Sequence, residues 1–530
     1  MTENGKKKFG PLVSVLIPTF NRPKYLAQAL DSAVSQSYAN LQIIVVNDGG
    51  EDVSSIVNSF NDPRIVFINR KENRGKAASL NEAISRSEGK YIAYLDDDDL
   101  YYPHHIETLV NTLENQTGCG VAYSDLYKVH CNILPDGTRQ ALSKVVEVSR
   151  DFDRLFMFYF NHALHVSVMH RADLLEKTGL YNENLNVLID WDMTRRLAFF
   201  TDFRHVCEIT GEFYSPVGEC DRISVQRRKN KQEYARNVLT IRTTRPPKPW
   251  PKVRDLSVIF TTDSFDQKAG ETMGLIWRHT FYPSQVYLPI PQSDIARIST
   301  DMPNIVYVPV NPSSSQTERI DAALARCEGD YVVVVPNGLP INEMWIEDPL
   351  YALLNSDVER EAIKIEASTD TLWSAVIRKE DSLFARRSFP HLSLRQSMEA
   401  AGITIRDLRP EEIPFQLDSL LKEARLAEKN GNWAEAAEIF VFAAERYQNQ
   451  VWMKTMAAKA LFKAGAHTKA AQISREINQQ RPTVDTLLLE AKVCREKNDF
   501  NSAIELLKKA EQKFICHTDG RQEGREPLWT

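Results

Sequence analysis

Short apolar runs alternate with helix-spaced patterns through the first half of the chain. Leu12 to Pro18 is one such run, and proline ends it. Leu41 to Val46 is a second, closed by Asn47-Asp48-Gly49-Gly50, a turn signal. Arg64 to Ile68 and Tyr91 to Leu95 are the third and fourth, with helical stretches such as Lys24 to Ser35 and Lys76 to Ser87 between them. Strand–helix–strand alternation predicts an α/β fold, a parallel sheet with helices on both faces. Ligands of such sheets sit at the carboxyl ends of strands, so the polar residues after each run are the candidate site.

The pattern changes twice. Arg245-Pro246-Pro247-Lys248-Pro249-Trp250-Pro251 cannot enter a sheet or helix interior and reads as a stiff linker over 245–254. The region 255–410 then repeats the texture of 1–244. Leu80 to Tyr91 aligns with Ile320 to Tyr331, and Arg64 to Phe67 aligns at the same offset with Asn304 to Tyr307. Ser14 to Ile17 resembles Ser257 to Phe260 at nearly that offset, so duplication is the better account than chance. The region 415–515 has no strand-like run. Trp433-Ala-Glu-Ala-Ala recurs at His467 and at Phe500, close to the roughly 34-residue period of tetratricopeptide repeats. Ala436, Ala470 and Ala503 are the small residues of this pattern, and Gly431 and Gly465 fit its turns. The polar segment 516–530 reads as a flexible tail.

Composition adds limits rather than a function. A length of 530 residues suits three or so domains. A net charge of -6 gives no global attraction to nucleic acid. Seven scattered cysteines with no CxxC pair read as free thiols of a reducing compartment. No apolar run spans a bilayer, and Met1 to Gly10 lacks a leader's apolar stretch. The expected location is the cytoplasm, with peripheral contact at the inner membrane surface left open.

The strongest chemical signal is Tyr94-Leu95-Asp96-Asp97-Asp98-Asp99. Adjacent carboxylates after an apolar strand repel one another unless a cation offsets them, and hard oxygen ligands suit Mg²⁺ or Mn²⁺. A solvated acidic loop is the alternative. Asp190 opens a helix-like segment, where the backbone dipole favours an anion. It is a candidate general base, with a capping role as the plain alternative and Asp192 as its competitor. The histidines His104, His105, His162, His165 and His170 read as helix or core residues, with contact to the acceptor or the diphosphate as the alternative for His165, which precedes a strand-like run.

Several segments in order resemble glycosyltransferase family 2. They are Val13 to Arg22, Ile44 to Gly50, Glu72 to Ala78, Asp96-Asp97-Asp98, and Val187 to Leu197, covering most of residues 11–215. The resemblance implies a GT-A fold and inverting transfer from a nucleotide-sugar, UDP-linked by preference, to a cell-surface glycan or protein acceptor. It implies that Pro18, Thr19, Asn21 and Arg22 border the base and ribose. Asp48 then accepts a bond from the base, and Arg74 and Gly75 line the pocket. Asp96, Asp97 and Asp98 form the donor-side acidic motif, with Asp96 and Asp98 on the metal and Asp190 as base. Two positions depart from the family pattern: Asn47 stands where aspartate is usual, and Ile189 where glutamate precedes the base. Pro336-Asn337-Gly338 falls where the offset puts Asp96-Asp97-Asp98, so 255–410 is expected to be a degenerate GT-A-like copy. The helical repeats are expected to hold the acceptor or to pair subunits into a homo-oligomer, apart from a donor site that does not need them. The rival reading is a non-catalytic nucleotide-sugar-binding scaffold or interaction platform.

Overall fold

The computed structural model describes residues 10–146, 148–217, 230–296, 298, 302–409, 412–413, 416–446 and 451–515. Cys220, Cys516 and the segment 516–530 lie outside them, and no disulfide joins the described cysteines.

The first sheet contains β1 (Val13–Thr19), β2 (Leu41–Asn47), β3 (Ile65–Asn69), β4 (Tyr91–Tyr94), β5 (Leu100–Tyr101), β6 (Cys119–Ile133), β7 (Arg139–Val145), β8 (Val168–Arg171) and β9 (Asp202–Pro216). Their order is β3-β2-β1-β4-β8-β6-β9-β5, with β7 paired to β6. The four apolar runs of the sequence form the parallel half, β3-β2-β1-β4. The other half is mixed, because β8 runs antiparallel to both β4 and β6. The all-parallel expectation therefore holds only to β4. Helices Pro23–Val34 and Lys76–Ser85 cross between the parallel strands, as the pattern predicts.

The second sheet contains β10 (Leu256–Thr261), β11 (Ser284–Pro291), β12 (Ile305–Val310), β13 (Tyr331–Pro336), β14 (Glu361–Lys364), β15 (Ala375–Arg378) and β16 (Thr404–Arg406). Its order, β12-β11-β10-β13-β15-β14, repeats β3-β2-β1-β4-β8-β6. The register repeats as well: Ser14 sits opposite Ile92, and Ser257 opposite Val332. In each copy a glycine N–H donates to that serine hydroxyl at 3.0 Å, Gly89 to Ser14 and Gly329 to Ser257. A Cβ on either glycine would meet the serine backbone nitrogen, at 2.5 Å and 2.7 Å. Strand order, register and local bond are thus shared by the two sheets, as the expected duplication would leave them.

One hydrophobic core runs through both sheets, from Leu16, Ile44 and Tyr94 to Val258, Phe260 and Val335. Phe158 meets Tyr282 at 5.8 Å and Tyr159 meets Phe281 at 5.0 Å. The proline-rich segment is part of this core rather than a free spacer. Trp250 packs on Phe199 at 4.9 Å, and Arg245 pairs with Asp255 at 2.6 Å. Glu347 is buried at the same junction, where the N–H groups of Phe281 and Tyr282 donate to it at 2.8 and 3.0 Å. Burial pushes its carboxyl up to about 7, against the pull of those donors. A raised pKa contributes stability that is complete below the unfolded value and lost as pH rises through the folded one. Wild-type stability should therefore lose this contribution between about pH 4.5 and about pH 7. Glu347→Gln should remove that part of the slope, measured as unfolding midpoints at pH 5 and pH 8. Parallel curves for the two proteins would refute it.

Three helical hairpins follow: Gln416–Lys429 with Trp433–Arg446, Val451–Lys463 with His467–Gln480, and Val484–Glu496 with Phe500–Ile515. Trp433, His467 and Phe500 each begin a second helix, and Ala436, Ala470 and Ala503 are buried between helices. Gly431 and Gly465 take positive φ at the turns (77° and 81°), and Asn498 does the same in the third (60°). The hairpins do not stand apart from the first sheet. Arg481 bonds Asp125 and Ser149, the Val484 N–H donates to Tyr127 Oη at 3.2 Å, and Lys144 Nζ donates to the Phe514 carbonyl at 2.9 Å. None of the described helices is long and apolar enough to cross a membrane.

Candidate active site

Strands β1, β2 and β4 end side by side, and each carboxyl end carries polar residues from the predicted set. At β1, Asn21 takes φ 55°, a conformation that Asn tolerates better than most residues. Its Oδ1 accepts the Glu51 N–H at 2.8 Å, closing the first loop onto the second. Pro18 remains inside the strand opposite Val46. At β2, Asn47 is 1% exposed and bonds Glu51 O and Asn69 Oδ1, both at 2.9 Å. Asp48, also buried, accepts from Arg70 Nη1 (2.9 Å), the Arg74 N–H (3.0 Å) and the Gly75 N–H (2.8 Å). Asn47 and Asp48 thus shape the loops, and Asp48 holds the turn that presents Gly75 and Lys76. The Arg74 side chain is exposed, 3.7 Å from Glu183.

The acidic run divides into two faces. Asp97 points inward, 5% exposed, accepting from Thr19 Oγ1 at 2.8 Å and Arg22 Nη1 at 3.2 Å. Burial and the neighbouring Asp98 charge raise its pKa to about 6, against Arg22 and Thr19. Asp97 therefore serves as a brace between β1 and β4 rather than as a donor-facing group. Asp96 and Asp98 are half-buried and face outward. Lys76 Nζ donates to Asp96 Oδ1 at 2.6 Å, and Arg22 Nη1 to Asp98 Oδ2 at 2.8 Å. Burial works against ionised Asp96, yet Lys76 and His165 hold its carboxyl well below the usual range. One oxygen each from Asp96, Asp98 and Asp99 lies within 4.8 Å of the other two, a compact hard-oxygen set.

The duplicate keeps the brace and loses the charge. Asn337 stands where Asp97 stands, and its Nδ2 donates to Thr262 Oγ1 at 3.3 Å, the counterpart of the Thr19–Asp97 bond. Pro336 and Gly338 replace the two outward carboxylates.

Asp190 is the second residue of the helix Ile189–Leu197, and the N-cap is Leu188, at φ 64°. The capping alternative for Asp190 is thereby corrected. A non-glycine residue in this left-handed conformation costs on the order of 1–3 kcal/mol, the kind of strain that collects at functional sites. Asp190 Oδ2 accepts Asn161 Nδ2 at 3.0 Å. The Asn161 amide is oriented by the Ala163 N–H and Thr194 Oγ1, which both donate to its Oδ1. Asp192 is 1% exposed and paired with Arg196 at 2.6 Å, so it has no open side for a substrate. Burial opposes the Lys76 charge, but Asp96, Asp190 and Asp98 together raise its pKa. Lys76 is thus within electrostatic reach of the base candidate Asp190 as well as of the acidic loop, which it touches at 2.6 Å.

Sequence reasoning did not single out Lys76 or Asn161, and it read His165 first as a core residue, with acceptor or diphosphate contact as the alternative. His165 is indeed buried and stacked on Tyr94, but its Nδ1 lies 3.8 Å from Asp96. Lys76 lay within a quoted segment, but a lysine at a helix start ordinarily reads as solvated. A second cluster, Asp125, His205 and Cys207, also gathers ligand-type atoms. There His205 lies 2.9 Å from both Asp125 and Asp151. Although burial opposes its charge, they hold its pKa up at about 11. These pairs tie His205 of β9 to Asp125 of β6 and to Asp151 as an ionic clamp.

Residues 14–170 match the sequence model of the family described as Glycosyl transferase family 2. This part of the chain is a family 2 glycosyltransferase domain. An uncharacterized glycosyltransferase of Rickettsia typhi is 34% identical over 194 residues, which cover 35% of this chain and 58% of the relative. A hyaluronan synthase of Pasteurella multocida is 30% identical over 222 residues, 41% of this chain and 21% of the synthase. The chain thus spans little more than half of the first of these relatives. The solved structure of S. aureus TarS 1-349 in complex with UDP-GlcNAc is similar at 18% identity and a TM-score of 0.36, covering 44% of this chain and 68% of that one. Family membership accords with the GT-A fold, whose mixed sheet carries the site at the ends of β1, β2 and β4.

Proposed function

We propose that this chain is an inverting glycosyltransferase. It moves a sugar from a nucleoside-diphosphate sugar, UDP-linked by preference, to a hydroxyl of a glycan or protein acceptor. The carrying observation is the acidic loop at the end of β4, where oxygens of Asp96 and Asp98 lie within 4.8 Å of each other beside Lys76 at 2.6 Å and Arg22 at 2.8 Å, with the Asp190 charge also acting on Lys76. Asp190 takes the proton from the acceptor hydroxyl while that oxygen bonds to the anomeric carbon. The bond from that carbon to the diphosphate breaks on the opposite face, and configuration inverts. Asn161 holds the base carboxylate in place through its amide. Lys76 and Arg22 supply positive charge beside the departing diphosphate. Asp96 and Asp98 fit Mn²⁺ or Mg²⁺ as oxygen ligands, and such a cation offsets the charge of the leaving group. Similarity to a hyaluronan synthase favours a growing glycan as acceptor. The duplicate, with Asn337 in place of the central carboxylate, serves as a scaffold.

A panel of nucleotide-sugars with Mn²⁺ tests the reading. At least one should raise the unfolding midpoint and release its nucleoside diphosphate slowly into water. A panel with neither effect would overturn it and favour the non-catalytic scaffold.

A further inference from the structure

The acidic loop is fastened from behind, and the fastening leads out of its own domain. Asp99 Oδ1 accepts the Tyr214 N–H of β9 at 3.1 Å. Arg139 of β7 donates to the Asp98 carbonyl, and its guanidinium lies 3.5 Å over the Tyr214 ring. Tyr214 Oη donates to Glu212 Oε2 at 2.8 Å, and Tyr102 Oη to Glu212 Oε1 at 2.7 Å. Glu212 pairs at 2.5 Å with Lys144, both side chains being 0% exposed. The remaining partner of Lys144 comes from the last helix of the repeats. Its ammonium donates to the Phe514 carbonyl at 2.9 Å and lies 5.1 Å from the centre of the Phe514 ring. Tyr102, Tyr127, Val129, Cys131 and Tyr214 form one small core with Val484, against which Leu488 and Phe514 pack.

We infer that the C-terminal hairpin is a positioning element of the donor site: Phe514 seals the Lys144–Glu212 pair, and that pair holds Tyr214 and Arg139 against the acidic loop. The inference rests on the reading of Asp96 and Asp98 as the donor-side motif. A buried ion pair survives only while its partners and its cover are complete. Removing the cover admits water to Lys144 and Glu212 and slackens the strand that grips Asp99. Conversely, whatever occupies the repeats and shifts their last helix alters donor affinity, and donor binding alters that occupancy by the same factor. This coupling departs from the expectation that the donor site does not need the repeats.

Three full-length variants test this: Phe514→Ala opens the cover, Phe514→Tyr keeps a ring there, and Lys144→Met removes the charge while leaving the stem. The first readout is hydrogen exchange of residues 96–99 in protein without metal. The second is Mn²⁺ affinity in the presence of UDP, by paramagnetic resonance. Phe514→Ala and Lys144→Met should speed exchange at 96–99 and weaken Mn²⁺ binding, each by about 3- to 30-fold, the range of measured couplings between distant sites. Exchange in β1 and β2 should be unchanged, and Phe514→Tyr should behave as wild type. Unchanged exchange at 96–99 in the two disrupting variants, or equal speeding across β1 and β2, overturns the inference. If wild-type protein fails to bind Mn²⁺ with UDP, the reading of Asp96 and Asp98 as metal ligands falls instead, while the exchange result still decides the coupling.

Discussion

Replacing Asp190 by asparagine is expected to slow sugar transfer by about 10²–10⁴-fold, the usual cost of removing a general base. Donor binding should persist. Asparagine has nearly the shape of aspartate and can still bond Asn161, but it cannot take a proton. Because the loss falls on the chemical step, kcat and kcat/KM should drop together. Asp192→Asn should behave otherwise. Asp192 is paired with Arg196 in the interior. Breaking a buried pair leaves an uncompensated charge, at a cost of about 3–5 kcal/mol, so the variant should lose folded protein rather than turnover per folded molecule. Kinetics on material that passes a folding check separates the two. A normal kcat for Asp190→Asn would remove it from the mechanism.

Chelation is expected to lower transfer by about 10³-fold or more, since a bound cation supplies several kcal/mol of charge stabilisation. Mn²⁺ or Mg²⁺ should restore it. Asp98→Ala should not be rescued, and it should also abolish all metal-dependent nucleotide binding of the full chain, because Asn337 and its neighbours give the duplicate no carboxylate there. The opposing possibility is concrete. Lys76 and Arg22 already neutralise Asp96 and Asp98 at 2.6 and 2.8 Å. If these two cations suffice, full activity will survive EDTA and the metal assignment is lost.

The parallel half of the first sheet was legible because β1, β2 and β4 are buried on both faces and so read as unbroken apolar runs, while the half-buried edge strand β3 keeps a β-branched run of its own. The 15-residue strands β6 and β9 were not. They carry Asp125, Lys128, His130 and Arg204 among their apolar positions, and their polar members find partners only in the folded chain. The likeness of the two sheets was legible because short similar segments kept one offset. At the site, residue type and order gave the acidic motif and Asp190. What each carboxylate faces could not be read, since Asp96, Asp97 and Asp98 are adjacent in sequence while Asp97 turns inward. Lys76 and Asn161 escaped notice for a related reason. Their relation to Asp96 and Asp190 is tertiary, and no spacing in the chain encodes it. The proline-rich segment shows a third limit: composition predicted a stiff spacer, but Trp250 supplied an apolar face that the core could use.

The continuous core beneath the two sheets has a practical side. Stretches of a protein that share buried contacts unfold together, as one cooperative unit. Calorimetry should therefore show the two sheets melting in a single endotherm despite their repeated strand order. Cutting between them would not release two modules. It would lay bare Phe158, Phe199, Phe281 and Tyr282, an aromatic face of the sort that drives aggregation. For expression and crystallography, the smallest workable unit of this chain is then the pair of sheets with the helical hairpins that cover Lys144 and Glu212. A catalytic half trimmed to the family boundary near residue 170 would lack even the strand β9 that closes its own sheet.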